Sequence, residues 1–338
     1  MLDPLGLLIV VLVLSVFFDF VNGFHDTANA IATVVATRVL TPLQAILMAS
    51  SLNFLGAMTG VAVAKTIASG LVPAQVIAQH EPVIVAALMA AITWNLITWY
   101  YGIPSSSSHA IIGGMLGAAI AATGSLSAPK WSEVVIKVLV PLVASPIVGF
   151  IAAWALTVLM FRLFMRRTPA QTHSVFGKLQ ILSSAFMAFS HGGNDAQKTM
   201  GIMALAYATY LKAPMSEEIP LWIKVTAAVA MGLGTGVGGW RVIKTMGHKL
   251  ARIEPIHGFA AETAAATVIE VASHLGSPLS TTHVISSAIL GAGSSRGFSA
   301  VRWNIAGGIL TAWVLTIPVC MTLAGVIFWL LRLVFKLP

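Results

Sequence analysis

A succession of ten apolar runs is the feature that most restricts what this chain can fold into. The runs lie near 5–22, 43–65, 82–101, 105–122, 136–161, 179–209, 221–240, 258–275, 280–293 and 303–331. A helix of about 20 apolar residues spans the hydrocarbon core of a bilayer. The chain is 57% hydrophobic and only 9% charged, whereas about 25% of the residues in a soluble domain are charged. The sequence therefore predicts an all-α polytopic membrane protein with the lipid bilayer as its solvent.

The net charge of +8 does not indicate a nucleic-acid partner, because the Lys and Arg residues lie mainly between the apolar runs. Basic residues in short loops mark the cytoplasmic side of a membrane protein. The two basic clusters are Arg162, Arg166, Arg167 and Lys178, and Arg241, Lys244, Lys249 and Arg252. We expect both clusters inside and the N-terminus, with Asp3 and no basic residue before Arg38, outside. The first run lacks a preceding basic region, so we expect a retained helix rather than a signal peptide.

The two halves of the chain share motifs in the same order. The segment 23–29, GFHDTAN, aligns with 192–198, GGNDAQK, and the segment 102–109, GIPSSSSH, aligns with 276–283, GSPLSTTH. Five runs in each half invert the second half relative to the first, and inverted repeats with broken helices are typical of secondary transporters with a midplane site. We predict a first membrane repeat over 1–165, a short basic cytoplasmic connection over 166–178 and an inverted repeat over 179–338. Re-entrant or broken helices should meet at the bilayer midplane.

Asp26 and Asp195 are acidic residues inside apolar runs. A charged side chain at the bilayer centre costs about 2.5–3.5 kcal/mol or more, so its presence indicates a function. With Asn29 and Asn194, the two carboxylates offer hard oxygen ligands for a small cation, or a titratable proton site. Asp and Asn also cap helices, and a broken helix would need such caps. We favour the functional interpretation because the motif is duplicated.

Pro104 and Pro278 each precede hydroxyl residues and then an apolar helix, which is the pattern of a helix N-terminus. The hydroxyl residues are Ser105, Ser106, Ser107 and Ser108 in the first half, and Ser280, Thr281 and Thr282 in the second. Free N–H groups and the helix dipole make such a terminus an anion site. Two of them, one from each repeat, could hold a tetrahedral oxyanion from both sides. The alternative is that small residues only allow close helix packing.

Lys198 lies three residues after Asp195, on the same helical face, so it could contact the anion or form a structural ion pair with Asp195. Histidines flank both motifs. His25 precedes the first Asp, and a proton relay is one role open to it. For His109 and His283 we favour a structural role. Glu262 and Glu270 each have two interpretations, because either residue could line a pathway or lie near an interface.

The sequence resembles the Pit-type inorganic phosphate transporter family in both halves. The resemblance is carried by Asn22–Asn29, Trp94-Asn95, Pro104–His109, His191–Asp195 and Pro278–His283. It implies a membrane transporter for inorganic phosphate, two inverted repeats with re-entrant hairpins, and a homodimer in the bacterial inner membrane. It also implies that the hydroxyl runs contact phosphate and that the Asp/Asn motifs contact the coupling ion. No cofactor is implied.

The chain departs from much of that family in having His25 where Asn is common. Members similar in this respect are associated with proton-coupled uptake of phosphate as a neutral magnesium or calcium complex. The resemblance therefore favours a proton over sodium, with Asp26 and Asp195 as the metal ligands if sodium or a metal–phosphate complex binds. His25 joins the two Asp/Asn motifs as a candidate coupling residue.

We expect symport by alternating access between the two repeats. A transporter for another oxyanion such as sulfate, and a passive anion channel, are the alternatives. An enzyme is disfavoured, because the hydroxyl residues form duplicated runs rather than one nucleophile with an oriented base.

Overall fold

The computed structural model describes residues 3–80, 82–214 and 218–335. The ends of the predicted repeats at 1–2 and 336–338, together with 81 and 215–217, lie outside the described residues. All the secondary-structure elements named for the described part of the chain are helices or helical turns, which confirms the predicted all-α class.

Each half contains one long polar-faced helix, a bent pair, a 20-residue helix, a short helix and a final long helix. The first half contains α1 (Pro4–Ala36), α2 (Pro42–Ala57), α3 (Ala62–Gly70), α4 (Ala74–Gln79), α5 (Pro82–Tyr101), α6 (Ser107–Thr123), α7 (Trp131–Val134) and α8 (Val140–Phe164). The second half contains α9 (Pro169–Leu211), α10 (Leu221–Val237), α11 (Trp240–Lys244), α12 (Pro255–His274), α13 (Thr281–Ser294) and α14 (Trp303–Phe335). The π-helical turns Val135–Leu139 and Thr245–Lys249 join α7 to α8 and extend α11, and the 3-10 turn Phe298–Ala300 precedes α14.

Four continuous helical stretches of the described residues are long and apolar enough to cross a membrane, namely α1, α5, α7 through α8, and α14. The number rises to six if each bent pair is one span, because α2 and α3 meet at 68° and α10 and the helix over 240–249 meet at 60°. Helices α6 and α13 are too short to span, as expected for re-entrant segments. The ten apolar runs of the sequence therefore form four to six complete spans among the described residues.

The short helices cross over between the halves. Helix α6 packs on α14, and α13 packs on α8. Both contacts depend on a glycine at a matching position: a Cβ atom on Gly117 would lie 2.0 Å from the Met321 carbonyl oxygen, and one on Gly291 would lie 2.1 Å from the Phe150 carbonyl oxygen. Small residues allow such close backbone approach in membranes. Each half therefore completes the packing of the other.

Two hairpins with matching turns precede the short helices. Helix α5 is followed by Gly102, with φ of 66°, and α12 is followed by Gly276, with φ of 69°. This left-handed conformation costs glycine least, and it ends a helix. The Ser106 and Ser280 hydroxyls then accept the N–H groups of His109 and His283 at 3.1 and 3.3 Å, which caps α6 and α13. The hairpins therefore bring two helix N-termini into the protein interior.

The stretch 166–178, predicted as a short basic cytoplasmic connection between the repeats, is largely helical. Helix α9 begins at Pro169, and Thr168 and Gln171 form a reciprocal capping box before it. Proline at the first helical position and a Thr cap are start signals. The division at 165 and 179 stays a prediction, but the connection itself contains only a few residues before α9.

Candidate functional site

The two hydroxyl runs meet in the protein interior. The Ser108 hydroxyl donates to the Leu279 carbonyl at 3.2 Å, and the imidazole centroids of His109 and His283 are 4.8 Å apart. All seven hydroxyl side chains in the two runs are at most 2% exposed. The N-termini of α6 and α13 therefore face one buried region, as the sequence predicted, and neither faces lipid.

Hydroxyls from both runs lie within hydrogen-bond distance of the two central carboxylates. Ser107 donates to Asn22 Oδ1 and lies 3.2 Å from Asp26 Oδ2, and Thr281, at the matching position of the second half, donates to Asp195 Oδ2 at 3.2 Å. Thr282 crosses between the halves and donates to Asp26 Oδ2 at 3.2 Å. The acidic motifs and the hydroxyl motifs thus belong to a single site.

Four of the seven predicted hydroxyl residues have other partners. Ser106 and Ser280 cap their helices, Ser105 donates to the Thr98 hydroxyl at 2.8 Å, and Ser108 donates to the Leu279 carbonyl. Their hydroxyls support the hairpins, so the structural alternative describes these four side chains well. Ser107, Thr281 and Thr282 are the hydroxyls directed toward the carboxylates.

The two carboxylates lie close together and carry nitrogen partners. One ligand atom each from Asp26, Asp195 and His191 lie within 4.8 Å of one another, a spacing at which they could hold a metal ion. His25 Nδ1 lies 2.6 Å from Asp26 Oδ1, and Lys198 Nζ lies 2.5 Å from Asp195 Oδ1. Like charges this close repel strongly in a low-dielectric interior, so the nitrogen partners are needed to stabilise the pair.

His25 and Asn194 have matching roles in the two halves. His25 Nε2 lies 3.0 Å from the Thr98 hydroxyl on α5, and Asn194 Nδ2 donates to the Ser273 hydroxyl at 2.7 Å on α12. Each side chain therefore joins its Asp-bearing helix to the neighbouring 20-residue helix. The imidazole at position 25 thus makes the contact that the amide makes at position 194.

Asn29 lies against the hydroxyl run of the other half. Its Nδ2 donates to the hydroxyls of Thr282 at 3.0 Å and Thr281 at 3.4 Å. The Oδ1 atoms of Asn29 and Asn194 have no hydrogen-bond partner among the described residues. Two buried amide oxygens are thus available to a ligand in addition to the carboxylates.

The histidines at the helix starts have a structural setting. The His283 ring stacks on Trp313 with a centroid separation of 3.9 Å, and Trp313 Nε1 donates to the Pro104 carbonyl at 3.2 Å. These contacts join the two hairpins around α14. They support the structural role expected for His109 and His283.

Glu262 and Glu270 have different environments. Glu262 is fully buried and accepts hydrogen bonds from Thr33 and from Ser183, the latter at 2.5 Å. Glu270 is 31% exposed and lies 3.3 Å from the exposed His274. Glu262 is therefore part of the interior polar network, and Glu270 is a peripheral residue.

Sequence analysis missed Asp19, which is fully buried on α1. Asp19, Asn22, Asp26, Asn29 and Thr33 recur at intervals of three and four residues. That spacing places them on one face of a helix. The periodicity was the available signal, but Asp19 has no acidic counterpart in the second half, so a search for repeats does not find it.

Comparisons with known proteins agree on one family. The profile of a family described as the phosphate transporter family matches residues 22–324. The chain is 46% identical over 329 residues to a Bacillus subtilis (strain 168) protein named "probable low-affinity inorganic phosphate transporter", with 97% of this chain and 98% of that protein covered. A Rhizobium meliloti (strain 1021) protein with the same name is 44% identical, with 97% of each chain covered. A solved structure described as "the sodium-dependent phosphate transporter" matches with a TM-score of 0.82 at 27% identity, over 97% of this chain and 99% of that one.

Proposed function

Because this chain belongs to the phosphate transporter family, we propose that it imports inorganic phosphate by symport with a cation, and that the cation is a proton rather than sodium. The observation that supports this most is the meeting of two capped helix N-termini on the buried Asp26–Asp195 pair. The family membership confirms the resemblance found in the sequence. Its named relatives are transporters rather than enzymes.

Phosphate binds between the N-termini of α6 and α13 in this proposal. The hydroxyls of Ser107, Thr281 and Thr282 turn from the carboxylates to the anion, and free N–H groups of both helix starts complete its shell. Lys198 supplies the one fully buried ammonium near the site among the described residues. The remaining serines of the two runs position the hairpins.

Coupling follows from the charges of the site. Ionised Asp26 and Asp195 repel a phosphate dianion until a bound cation offsets their negative charge. The nitrogen atoms of His25 and Lys198 already contact one oxygen of each carboxylate, which leaves fewer free oxygen ligands for sodium. Protonation needs no such shell, and this favours the proton. If sodium or a divalent metal–phosphate complex binds instead, Asp26 and Asp195 are the carboxylates it would use.

The two halves act as inverted repeats that rock against each other around the fixed site. Their matching order of helices and the exchange of α6 and α13 between them support this mechanism. We place the protein in the plasma membrane as a homodimer, with its N-terminus outside and both basic clusters inside.

The experiment that tests the function is phosphate uptake into proteoliposomes that contain the purified full-length chain, with proton and sodium gradients imposed separately. An inward proton gradient should drive phosphate accumulation without sodium. A comparison of uptake with and without magnesium then decides which phosphate species is carried. Accumulation driven by sodium alone would contradict proton coupling. Flux that never exceeds equilibrium would indicate a channel, and full competition by sulfate would indicate a broader oxyanion substrate.

A further inference from the structure

Asp19 is a buried carboxylate outside the contacts of the central site. It lies on α1 seven residues before Asp26, and none of its side chain is exposed. The Thr199 hydroxyl and the Asn22 amide lie beside it, and Lys198 and Asp195 are close enough for their charges to act on it. Neither Asp19 oxygen makes a hydrogen bond of normal geometry with a described residue.

A buried carboxylate in this setting has two ways to avoid an unfavourable charge. It can bind a proton and become neutral, or it can remain ionised and draw on the ammonium of Lys198. Both forms are therefore accessible, because each has a partner.

Lys198 connects Asp19 to the phosphate site. Its ammonium bonds to Asp195 Oδ1 at 2.5 Å, and its side chain is 1% exposed. Lys198 directly precedes Thr199, whose hydroxyl lies beside Asp19, where α1 packs against α9. The ammonium is therefore near both carboxylates but bonds only to Asp195, which also accepts a hydrogen bond from the Thr281 hydroxyl.

We propose that Asp19 binds the coupling proton and that its protonation decides how much of the Lys198 charge is available to phosphate. This inference rests on the proposed proton symport. When Asp19 is ionised, Lys198 is shared between two carboxylates and phosphate is repelled. When Asp19 is protonated, the site is one unit less negative and the ammonium serves Asp195 and the anion, so phosphate binds more tightly at low pH.

The other ionisable groups on helices packed against α1 have their own partners or are not fully buried. On α9, His191 lies 3.1 Å from Asn53 Oδ1 and 3.4 Å from Asp195 Oδ2, and on α12, His257 accepts the Glu254 N–H at 3.2 Å and Glu262 bonds to Thr33 and Ser183. His25 contacts Asp26 and Thr98, Arg241 donates to the Tyr100 carbonyl, His283 stacks on Trp313, and Lys224 and Lys244 are partly or well exposed. Asp195 and Lys198, on α9, are the charges that act on Asp19. The proton dependence is therefore assigned to this group of three.

The variant Asp19→Asn tests the proposal, because it holds position 19 neutral with almost no change in shape. Two activities are measured on the full-length protein in proteoliposomes: phosphate accumulation driven by an inward proton gradient, and phosphate–phosphate exchange at equal pH. We expect accumulation to fall about tenfold or more while exchange stays within about twofold of the unmodified protein, as for loss of a coupling free energy. The pH dependence of the apparent affinity for phosphate should also be lost, except for the part that comes from the titration of phosphate itself. That part is common to both proteins.

Ser15→Ala is the matched control, because Ser15 is buried on the same helix one turn before Asp19 and carries no charge. It should retain both activities. Asp19→Glu keeps a titratable carboxylate and should retain proton-driven accumulation.

Normal accumulation by Asp19→Asn would overturn the inference and leave proton symport intact. Loss of accumulation and exchange together, in a variant that still binds phosphate with the original pH dependence, would also overturn it. Failure of Asp19→Glu to couple while it still exchanges phosphate would do the same. If the unmodified protein is driven by sodium alone, the proposed proton symport fails, and the inference fails with it.

Discussion

At the scale of single residues, the site is governed by the arrangement of a few buried charges. Asp26 and Asp195 lie close enough to share one ligand, and the nitrogen atoms nearest to them belong to His25 and Lys198. Hydroxyls from both hairpins complete the carboxylate environment. An anion can enter such a site only if the carboxylates are neutralised or if the nitrogen cations move toward it.

Replacing either central carboxylate by its amide should uncouple the protein. Asp26→Asn or Asp195→Asn removes part of the negative charge that a bound proton must offset before phosphate enters, so gradient-driven accumulation should fall about tenfold or more. Uptake of labelled phosphate under a proton gradient measures this. Glu270→Gln is the control, because Glu270 is a partly exposed acid beside His274. Normal accumulation by either central variant would refute the coupling role.

Sequence reasoning identified the residues that are repeated and missed one that is not. Asp26, Asp195 and the hydroxyl runs stand out because the same motif occurs twice, and repetition reveals a shared site without a structure. It could not tell which hydroxyls cap the helices: Ser106 and Ser107 are adjacent and chemically equal, but only the backbone decides that Ser106 accepts the His109 N–H. Asp19 has no counterpart in the other half, and its importance depends on the packing of α1 against α9.

At the scale of elements, the two hairpins position the chemistry. Gly102 and Gly276 turn the chain back after α5 and α12, and the capped starts of α6 and α13 then face the carboxylates. The proline and hydroxyl pattern predicted these helix starts. It did not predict that α6 packs on α14 and α13 on α8, because that exchange depends on contacts between distant parts of the chain.

Gly117→Ala should weaken the packing of α6 on α14. The added methyl would lie 2.0 Å from the Met321 carbonyl oxygen, so the helices must separate. Overpacking of this kind costs about 1–3 kcal/mol. The thermal unfolding temperature of the purified protein in detergent should fall, and phosphate uptake should fall with it.

Gly307→Ala is the control for that change, because a Cβ atom on Gly307 of α14 meets nothing within 4 Å. Alanine is favoured over glycine within a helix, so the control should be at least as stable as the unmodified protein. Equal stability of the Gly117→Ala and Gly307→Ala proteins would show that the contact between α6 and α14 is looser than described.

At the scale of the whole molecule, two similar halves enclose one site. Each half contributes an Asp-bearing helix and a hairpin, and Thr282 of the second half donates to Asp26 of the first. Asn29 of the first half in turn donates to Thr281 and Thr282. A movement of one half against the other would therefore change the site directly, as alternating access requires.

The most direct test of this account is an experimental structure of the full-length protein with phosphate bound. We predict tetrahedral density between the starts of α6 and α13, within hydrogen-bond distance of Ser107, Thr281 and Thr282 and near Lys198. Phosphate density elsewhere, or helix starts that lie apart and face lipid in the presence of phosphate, would contradict it.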